Sequence, residues 1–187
     1  MSTDAPEFPP IQPLVPRGPV PELSLGRVGG DRWTLSEAQP DRFTLMVFYR
    51  GLHCPLCRTY LQQLVELLDD FAEIGVEAVA ISSDDQGRAE RTAEEWELAP
   101  LPILHSLPLD EARQWGLYIS SSRGVTSIGI EEPERFSEPA LYLVRPDGTL
   151  YFGMVQTMPF SRPDFPSILS SLNWIIENDY PGRGEIR

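Results

Sequence analysis

The chain reads as an α/β domain: a mixed β-sheet with a parallel pair inside it and an antiparallel hairpin at its edge, behind a proline-rich N-terminal arm. Three observations predict this. The apolar run Phe43–Tyr49 is followed by an amphipathic helical pattern and then by a second apolar run, Val76–Ile81. Strand, helix and strand with short links form a βαβ unit, which joins parallel neighbours by a right-handed crossover. Further on, Ala140–Val144 and Thr149–Phe152 flank Arg145-Pro146-Asp147-Gly148, whose proline followed by glycine signals a hairpin turn. At 187 residues, 41% of them hydrophobic, the chain is long enough for one domain with a real core and too short for two comfortable ones.

In chain order, Pro6, Pro9, Pro10, Pro13, Pro16, Pro19 and Pro21 deny the first segment a continuous helix or a central strand. Residues 1–22 are therefore read as an extended arm and 23–187 as the domain. Glu22–Leu25 and Arg32–Leu35 are short strand candidates around Gly29-Gly30, and Ser36–Asp41 is a short helix or loop. After the Phe43 strand, Leu61, Leu64, Val65, Leu68 and Phe71 recur at the steps of one buried helical face, so the helix is expected to run past Phe71 and end at Gly75. Ser83, Asp84 or Asp85 can cap a helix carrying Ala89, Ala93 and Trp96, which Pro100 and Pro102 stop. Leu101–Leu104 is β-like, and Asp110–Trp115 is a short helix closed by Gly116. The stretch 117–134 has no clear period and is read as an insertion that can arch over the preceding elements. Phe165, Ile168, Leu169, Leu172, Ile175 and Ile176 form the apolar stripe of a last helix.

Charge and cysteine usage narrow the function. A formal net charge of −13 supplies no basic field for nucleic acid or an anionic membrane surface. No apolar run approaches the roughly 18 residues of a membrane span, and no basic-then-apolar leader opens the sequence, so a cytoplasmic location is the expectation. In that compartment a stable structural disulfide is unusual, which points the only two cysteines, Cys54 and Cys57, toward catalysis, sensing or metal binding. A closed zinc site needs four ligands, and the only histidines are His53 and His105, so neither a metal nor any other cofactor is expected.

The chemistry is therefore sought in Cys54-Pro55-Leu56-Cys57, at the junction of strand and helix. A sulfur at a helix N-terminus faces unpaired N–H groups and the positive end of the helix dipole, which favours the thiolate. Arg50, His53 and Arg58 are close enough in sequence to add positive field, and Pro55 suits the first turn because it donates no hydrogen bond. Cys57 lies four residues before Leu61 on the buried face, so Cys54 is expected to be the exposed, reactive thiol and Cys57 the covered one. A thiol with a pKa of about 8.5 is roughly 3% ionised at neutral pH, whereas one at about 6.5 is roughly three-quarters ionised. Two inert, buried cysteines are the plain alternative.

The segment Phe48-Tyr49-Arg50-Gly51-Leu52-His53-Cys54-Pro55-Leu56-Cys57-Arg58, the βαβ continuation to Ile81-Ser82-Ser83-Asp84, and the Pro139 strand with its Pro146-Asp147-Gly148 turn together resemble the thioredoxin-like fold. More narrowly, they resemble the peroxiredoxin-like branch of the alkyl hydroperoxide reductase and thiol-specific antioxidant family, over roughly residues 23 to 178. The resemblance implies a three-layer α/β/α sandwich with a central mixed sheet. It also implies a cis Glu138–Pro139 bond beside the active thiol and a distant arginine that stabilises the thiolate, for which Arg123 is the candidate. Peroxiredoxins are similar here but carry Thr or Ser three residues before the reactive cysteine; counted from Cys54 that position is Gly51, and counted from Cys57 it is Cys54.

These readings lead to a thiol-dependent antioxidant oxidoreductase in which Cys54 attacks a peroxide and Cys57 resolves it as an internal disulfide. A thioredoxin-like protein disulfide reductase using the same pair is the runner-up, favoured by the CxxC itself, and a redox sensor that oxidises without turnover is the third reading. The implied partners are a peroxide or protein disulfide as substrate and a thioredoxin- or glutathione-type reductant. A homodimer is left open.

Overall fold

The computed structural model describes residues 8–186. The seven N-terminal residues of the arm, Pro6 among them, lie outside the described residues. The central strand is β3 (Phe43–Phe48), buried along its whole length. It pairs in parallel with β4 (Val76–Ile81), which pairs in parallel with β5 (Ile103–His105). On the other side β3 pairs antiparallel with β8 (Ala140–Val144), which forms the hairpin with β9 (Leu150–Val155). With β1 (Ser24–Arg27) and β2 (Arg32–Thr34) antiparallel at the far side, the sheet order is β2-β1-β5-β4-β3-β8-β9. The βαβ unit and the antiparallel edge therefore stand as the sequence predicts.

The two-residue period of β3 divides the core. Leu45 and Val47 face one cluster, while Met46 and Phe48 face the other. The first cluster lies under α1 (Pro55–Val65), α2 (Leu68–Glu73), α3 (Gln86–Glu95) and α5 (Phe165–Glu177), which contribute Leu61, Leu64, Phe71, Ala89, Phe165 and Leu172. The second is covered by α4 (Leu109–Gln114), by Trp115 and by Leu14 and Val20 of the arm. Helices thus lie on both faces of a mixed sheet. Each fully buried large apolar side chain contributes about 1.5–3 kcal/mol relative to exposure, so β3 alone anchors both layers.

Two expectations need correction here. The helix after the cysteines does not run unbroken past Phe71: it breaks at Glu66-Leu67, where the Leu67 N–H turns to the Leu64 carbonyl, and α2 then restarts with Phe71 still in the core. Burial of Phe71 is preserved at the cost of helical register. The Glu138–Pro139 bond is not cis; among the described residues the cis bond is Ala99–Pro100. Pro139 sits in a two-residue link that carries the chain extended from β7 (Arg135–Ser137) into β8, so no reversal is made there.

The arm and the stretch after α4 also have defined places. Residues 17–20 run beside the β8–β9 turn, with the Arg17 N–H on the Leu150 carbonyl and a bridge from Pro19 to Thr149. The stretch without a clear period is a small hairpin of β6 (Ile119–Ser121) and β7, closed by a loop with one bridge between Val125 and Glu131.

Candidate active site

Both cysteines emerge at the C-terminal ends of parallel strands β3 and β4, the usual location of sites in such sheets. The turn between β3 and α1 is fixed by Asp84, which follows β4. Its buried carboxylate accepts the Leu52 N–H at 2.7 Å and the Arg88 Nε at 2.9 Å. Gly51 is required at this point: its φ is +126°, and a Cβ would lie 2.5 Å from an Asp84 carboxylate oxygen. The Cys54 N–H then closes the turn on the Gly51 carbonyl, which delivers Cys54 as the N-cap of α1 with Pro55 at its first position.

The Cys54 sulfur accepts the Cys57 N–H at 3.3 Å, the bond expected of an N-cap side chain. Its exposure differs from expectation. Cys54 is 2% exposed and Cys57 fully buried, so position on the helix does not separate an open thiol from a covered one. Both are free thiols.

Electrostatics separate them instead, in the opposite sense to the sequence reading. The Cys54 S–H donates to the Cys57 sulfur, which together with burial and the charge of Cys57 pushes the Cys54 thiol far up. Burial also disfavours the Cys57 thiolate. It is outweighed by the Cys54 S–H, by the charge and hydrogen bond of Arg162 and by the Arg50 backbone N–H, which hold Cys57 well below the ordinary thiol range. The Arg162 Nη2 donates to the Cys57 sulfur at 3.1 Å. The helix terminus favours an anion as expected, and among the described residues more donors meet the Cys57 sulfur than the Cys54 sulfur.

Arg162 comes from the loop between β9 and α5. Its Nε donates to the Pro159 carbonyl at 2.8 Å, and the Gln156 side-chain amide donates to the Ser161 carbonyl, so the loop is bonded to itself. Its guanidinium carbon lies 4.8 Å from the centroid of the Tyr60 ring.

The other residues singled out in the sequence hold different places. Arg123 is exposed, with its backbone N–H on a Glu132 carboxylate at 2.7 Å; the arginine at the sulfurs is Arg162, brought there by a loop 105 residues beyond Cys57. The Arg50 guanidinium faces Glu132 at 3.7 Å and Glu138 at 3.5 Å, which is ion-pair rather than hydrogen-bond distance, and lies 4.6 Å from the Phe136 ring. Its charge is thereby engaged, and it serves Cys57 through its backbone. Arg58 and Pro55 are exposed on the first turn. Pro139 is buried at the start of β8, where its carbonyl accepts the Gln156 N–H.

His53 is also corrected. It is fully buried 4.6 Å from the Phe136 ring, neither ring nitrogen has a hydrogen-bond partner among the described residues, and burial with Arg50 and Arg88 nearby pushes its pKa down to about 3. It is neutral at physiological pH and adds no positive charge to the thiols. The β6–β7 segment packs on this part of the site through Phe136, Glu132 and Glu138, with Ser120 donating to Glu138 at 2.6 Å. It clamps the Arg50–His53 turn. Among the described residues no cluster of three or more His, Cys, Asp or Glu side chains could hold a metal, and no helix is long and apolar enough to cross a membrane.

A family model described as the AhpC/TSA family matches residues 16–152. The chain belongs to the AhpC/TSA family. Its fold is that of the peroxiredoxins. A cysteine-to-serine mutant of peroxiredoxin 6 from Arenicola marina superposes with a TM-score of 0.73 at 16% identity, covering 89% of this chain and 76% of that one. The peroxidoxin BcpB from Mycobacterium tuberculosis gives 0.67 at 20% identity, with 87% and 98% covered, and a peroxiredoxin-like protein from Aquifex aeolicus gives 0.67 at 14%, with 88% and 90% covered. No curated protein matches the chain in sequence. Family and fold make this AhpC/TSA member a thiol oxidoreductase of peroxiredoxin type. The arginine at its cysteines comes from the β9–α5 loop rather than from Arg123.

Proposed function

We propose that the chain is a thiol peroxidase in which Cys57 is the attacking thiolate and Cys54 the resolving thiol. The observation that carries the assignment is the convergence of the Arg162 guanidinium, the Cys54 S–H and the Arg50 N–H on the Cys57 sulfur. In the first step the Cys57 thiolate bonds to one peroxide oxygen and the O–O bond breaks. The other oxygen takes a proton and leaves as water or an alcohol, and Cys57 becomes a sulfenic acid. The Cys54 sulfur then displaces that hydroxyl, forming the Cys54–Cys57 disulfide and releasing water. Overall two thiols and one peroxide give one disulfide, one alcohol or water, and one further water. An external thiol of thioredoxin or glutathione type returns the two electrons, in a cytoplasm where thiols are kept reduced.

Cys54 occupies the position three residues before Cys57 where peroxiredoxins are expected to place a hydroxyl. Its thiol interacts directly with the Cys57 sulfur, so in this reading one residue both supports the reacting centre and closes the disulfide. Disulfide exchange is the second reading, favoured because the slightly exposed Cys54 lies beside solvent-facing Pro55 and Leu56, where a protein disulfide can approach.

Stoichiometric hydrogen peroxide on wild type, Cys54→Ser and Cys57→Ser, followed by site-resolved mass spectrometry, tests the assignment. Cys54→Ser should trap a Cys57 sulfenic acid or its over-oxidised product, and Cys57→Ser should leave Cys54 reduced. The reverse pattern would restore Cys54 as nucleophile. Oxidation by a small disulfide but not by peroxide would favour exchange.

A further inference from the structure

Tyr60 stands one helical turn after Cys57 on α1 and touches three of the four residues from Arg162 to Phe165. Its hydroxyl donates to the Pro163 carbonyl at 2.7 Å. Its ring carries the Arg162 guanidinium at 4.8 Å and stacks on Phe165 at 4.2 Å with an interplanar angle of 23°. Burial pushes the phenol pKa up, so the hydroxyl remains a donor throughout the working range. Phe165 is buried in the core at the start of α5, which makes Tyr60 the link between a fixed helix and the loop bearing Arg162.

Among the described residues, few other contacts hold that guanidinium. Nε bonds within its own loop, Nη2 reaches Cys57, and Nη1 is buried without a hydrogen-bond partner. The loop's internal bonds set its shape and leave its position over α1 undetermined. Tyr60 supplies the position through the hydrogen bond, the ring face and the stack. All three act on the segment that places Arg162, and all start from the helix that carries Cys57.

We propose that Tyr60 is a positioning residue that holds Arg162 on the Cys57 sulfur and thereby sets that thiol's ionisation. The proposal deepens the peroxidase reading and rests on its assignment of Cys57 as the thiolate.

The test is the pH dependence of Cys57 alkylation in the reduced full-length chain, resolved by mass spectrometry, for wild type, Tyr60→Phe, Tyr60→Leu, Arg162→Gln and the double variant Tyr60→Leu/Arg162→Gln. Thermal melts confirm that each is folded, and Tyr60→Phe keeps the packed ring should Tyr60→Leu unfold. Arg162→Gln should move the midpoint up by about one pH unit or more, a tenfold loss of thiolate well below it. Tyr60→Leu should give at least half that shift, Tyr60→Phe a smaller one, and the double variant no more than Arg162→Gln alone. If Arg162→Gln shifts the midpoint while both Tyr60 variants match wild type, the Tyr60 proposal fails and the Cys57 reading stands. An unmoved midpoint in Arg162→Gln sinks that reading itself. A Tyr60→Leu shift of full size in the Arg162→Gln background would mean that Tyr60 acts without Arg162, which also overturns positioning.

Discussion

Two arginines flank the cysteine turn in similar settings and end in different roles. Arg50 lies 4.6 Å from the ring of Phe136, and Arg162 lies 4.8 Å from the ring of Tyr60. Arg50 also faces two carboxylates, Glu132 and Glu138, whereas the contact of Arg162 beyond its own loop and that ring is a sulfur. A cation already compensated has little field left for a neighbour; one without a carboxylate partner is completed by whatever anion is in reach. The difference in pairing leaves Arg50 engaged by carboxylates and Arg162 aimed at the Cys57 sulfur, which is the basis of its proposed role as stabiliser of a thiolate.

Exchanging the charges breaks the comparison most visibly at Arg162. Arg162→Gln should lower the rate of Cys57 oxidation by stoichiometric peroxide tenfold or more at neutral pH, while the melting temperature changes little because the side chain lies partly at the surface. Arg162→Lys should recover only part of the rate, since a point charge on a flexible stem cannot keep the donor to Pro159, the ring contact and the donor to Cys57 together. Stopped-flow oxidation of both variants measures the two effects. Equal rates for Arg162→Gln and wild type would make the two arginines alike.

The opposite profile is expected of Arg50→Gln. Of its carboxylate partners Glu138 is buried and Glu132 partly so, and Glu138 is pushed up by desolvation before the Ser120 hydroxyl, Arg50 and Arg162 bring it part of the way back. Removing the cation should cost about 1–3 kcal/mol and leave the Cys57 midpoint near wild type, because the backbone N–H remains. A carboxyl whose folded pKa is raised favours the fold below its unfolded pKa and loses that contribution as pH rises. The destabilisation should therefore be smallest in mild acid and grow toward neutrality, as denaturant titrations at two pH values would show.

The same contrast explains what can be read from the chain. Residues 43–57 carry strand, turn and N-cap in one continuous stretch, and local rules suffice for Cys54 and Pro55 because each acts on its immediate neighbours, whereas Gly51 is fixed by Asp84 from beyond β4. The parallel pairing of β3 with β4 and the β8–β9 hairpin are legible for the same reason, a βαβ unit and a Pro-Asp-Gly turn being local patterns, whereas the place of β8 beside β3 is not. Arg162 is different. Nothing in Ser161-Arg162-Pro163-Asp164 marks it except a position before a capped helix, and its meaning appears only when α5 packs on α1 through Phe165 and Tyr60. Helix position alone gives Cys54 the field and takes no account of what surrounds the second sulfur. The outcome depends instead on donors converging from Arg162, Arg50 and Cys54 on Cys57. His53 is misread likewise, since proximity in sequence says nothing of burial against Phe136.

His53 provides the smallest and most specific check. Its ring is neutral in the fold with a pKa of about 3, against about 6.5 in an unfolded chain. Between those values the unfolded state binds the extra proton, so the group's contribution to stability is intact above about pH 6.5 and declines as pH falls toward 3. His53→Phe removes the titration and keeps an aromatic ring beside Phe136. The variant should match wild type at neutral pH and lose less stability than wild type on acidification, in parallel urea titrations across that range. Its Cys57 alkylation midpoint should be unchanged. A shifted midpoint would mean that the histidine feeds the sulfur after all, and the division of labour would then have to include a third group on the Arg50 side of the turn.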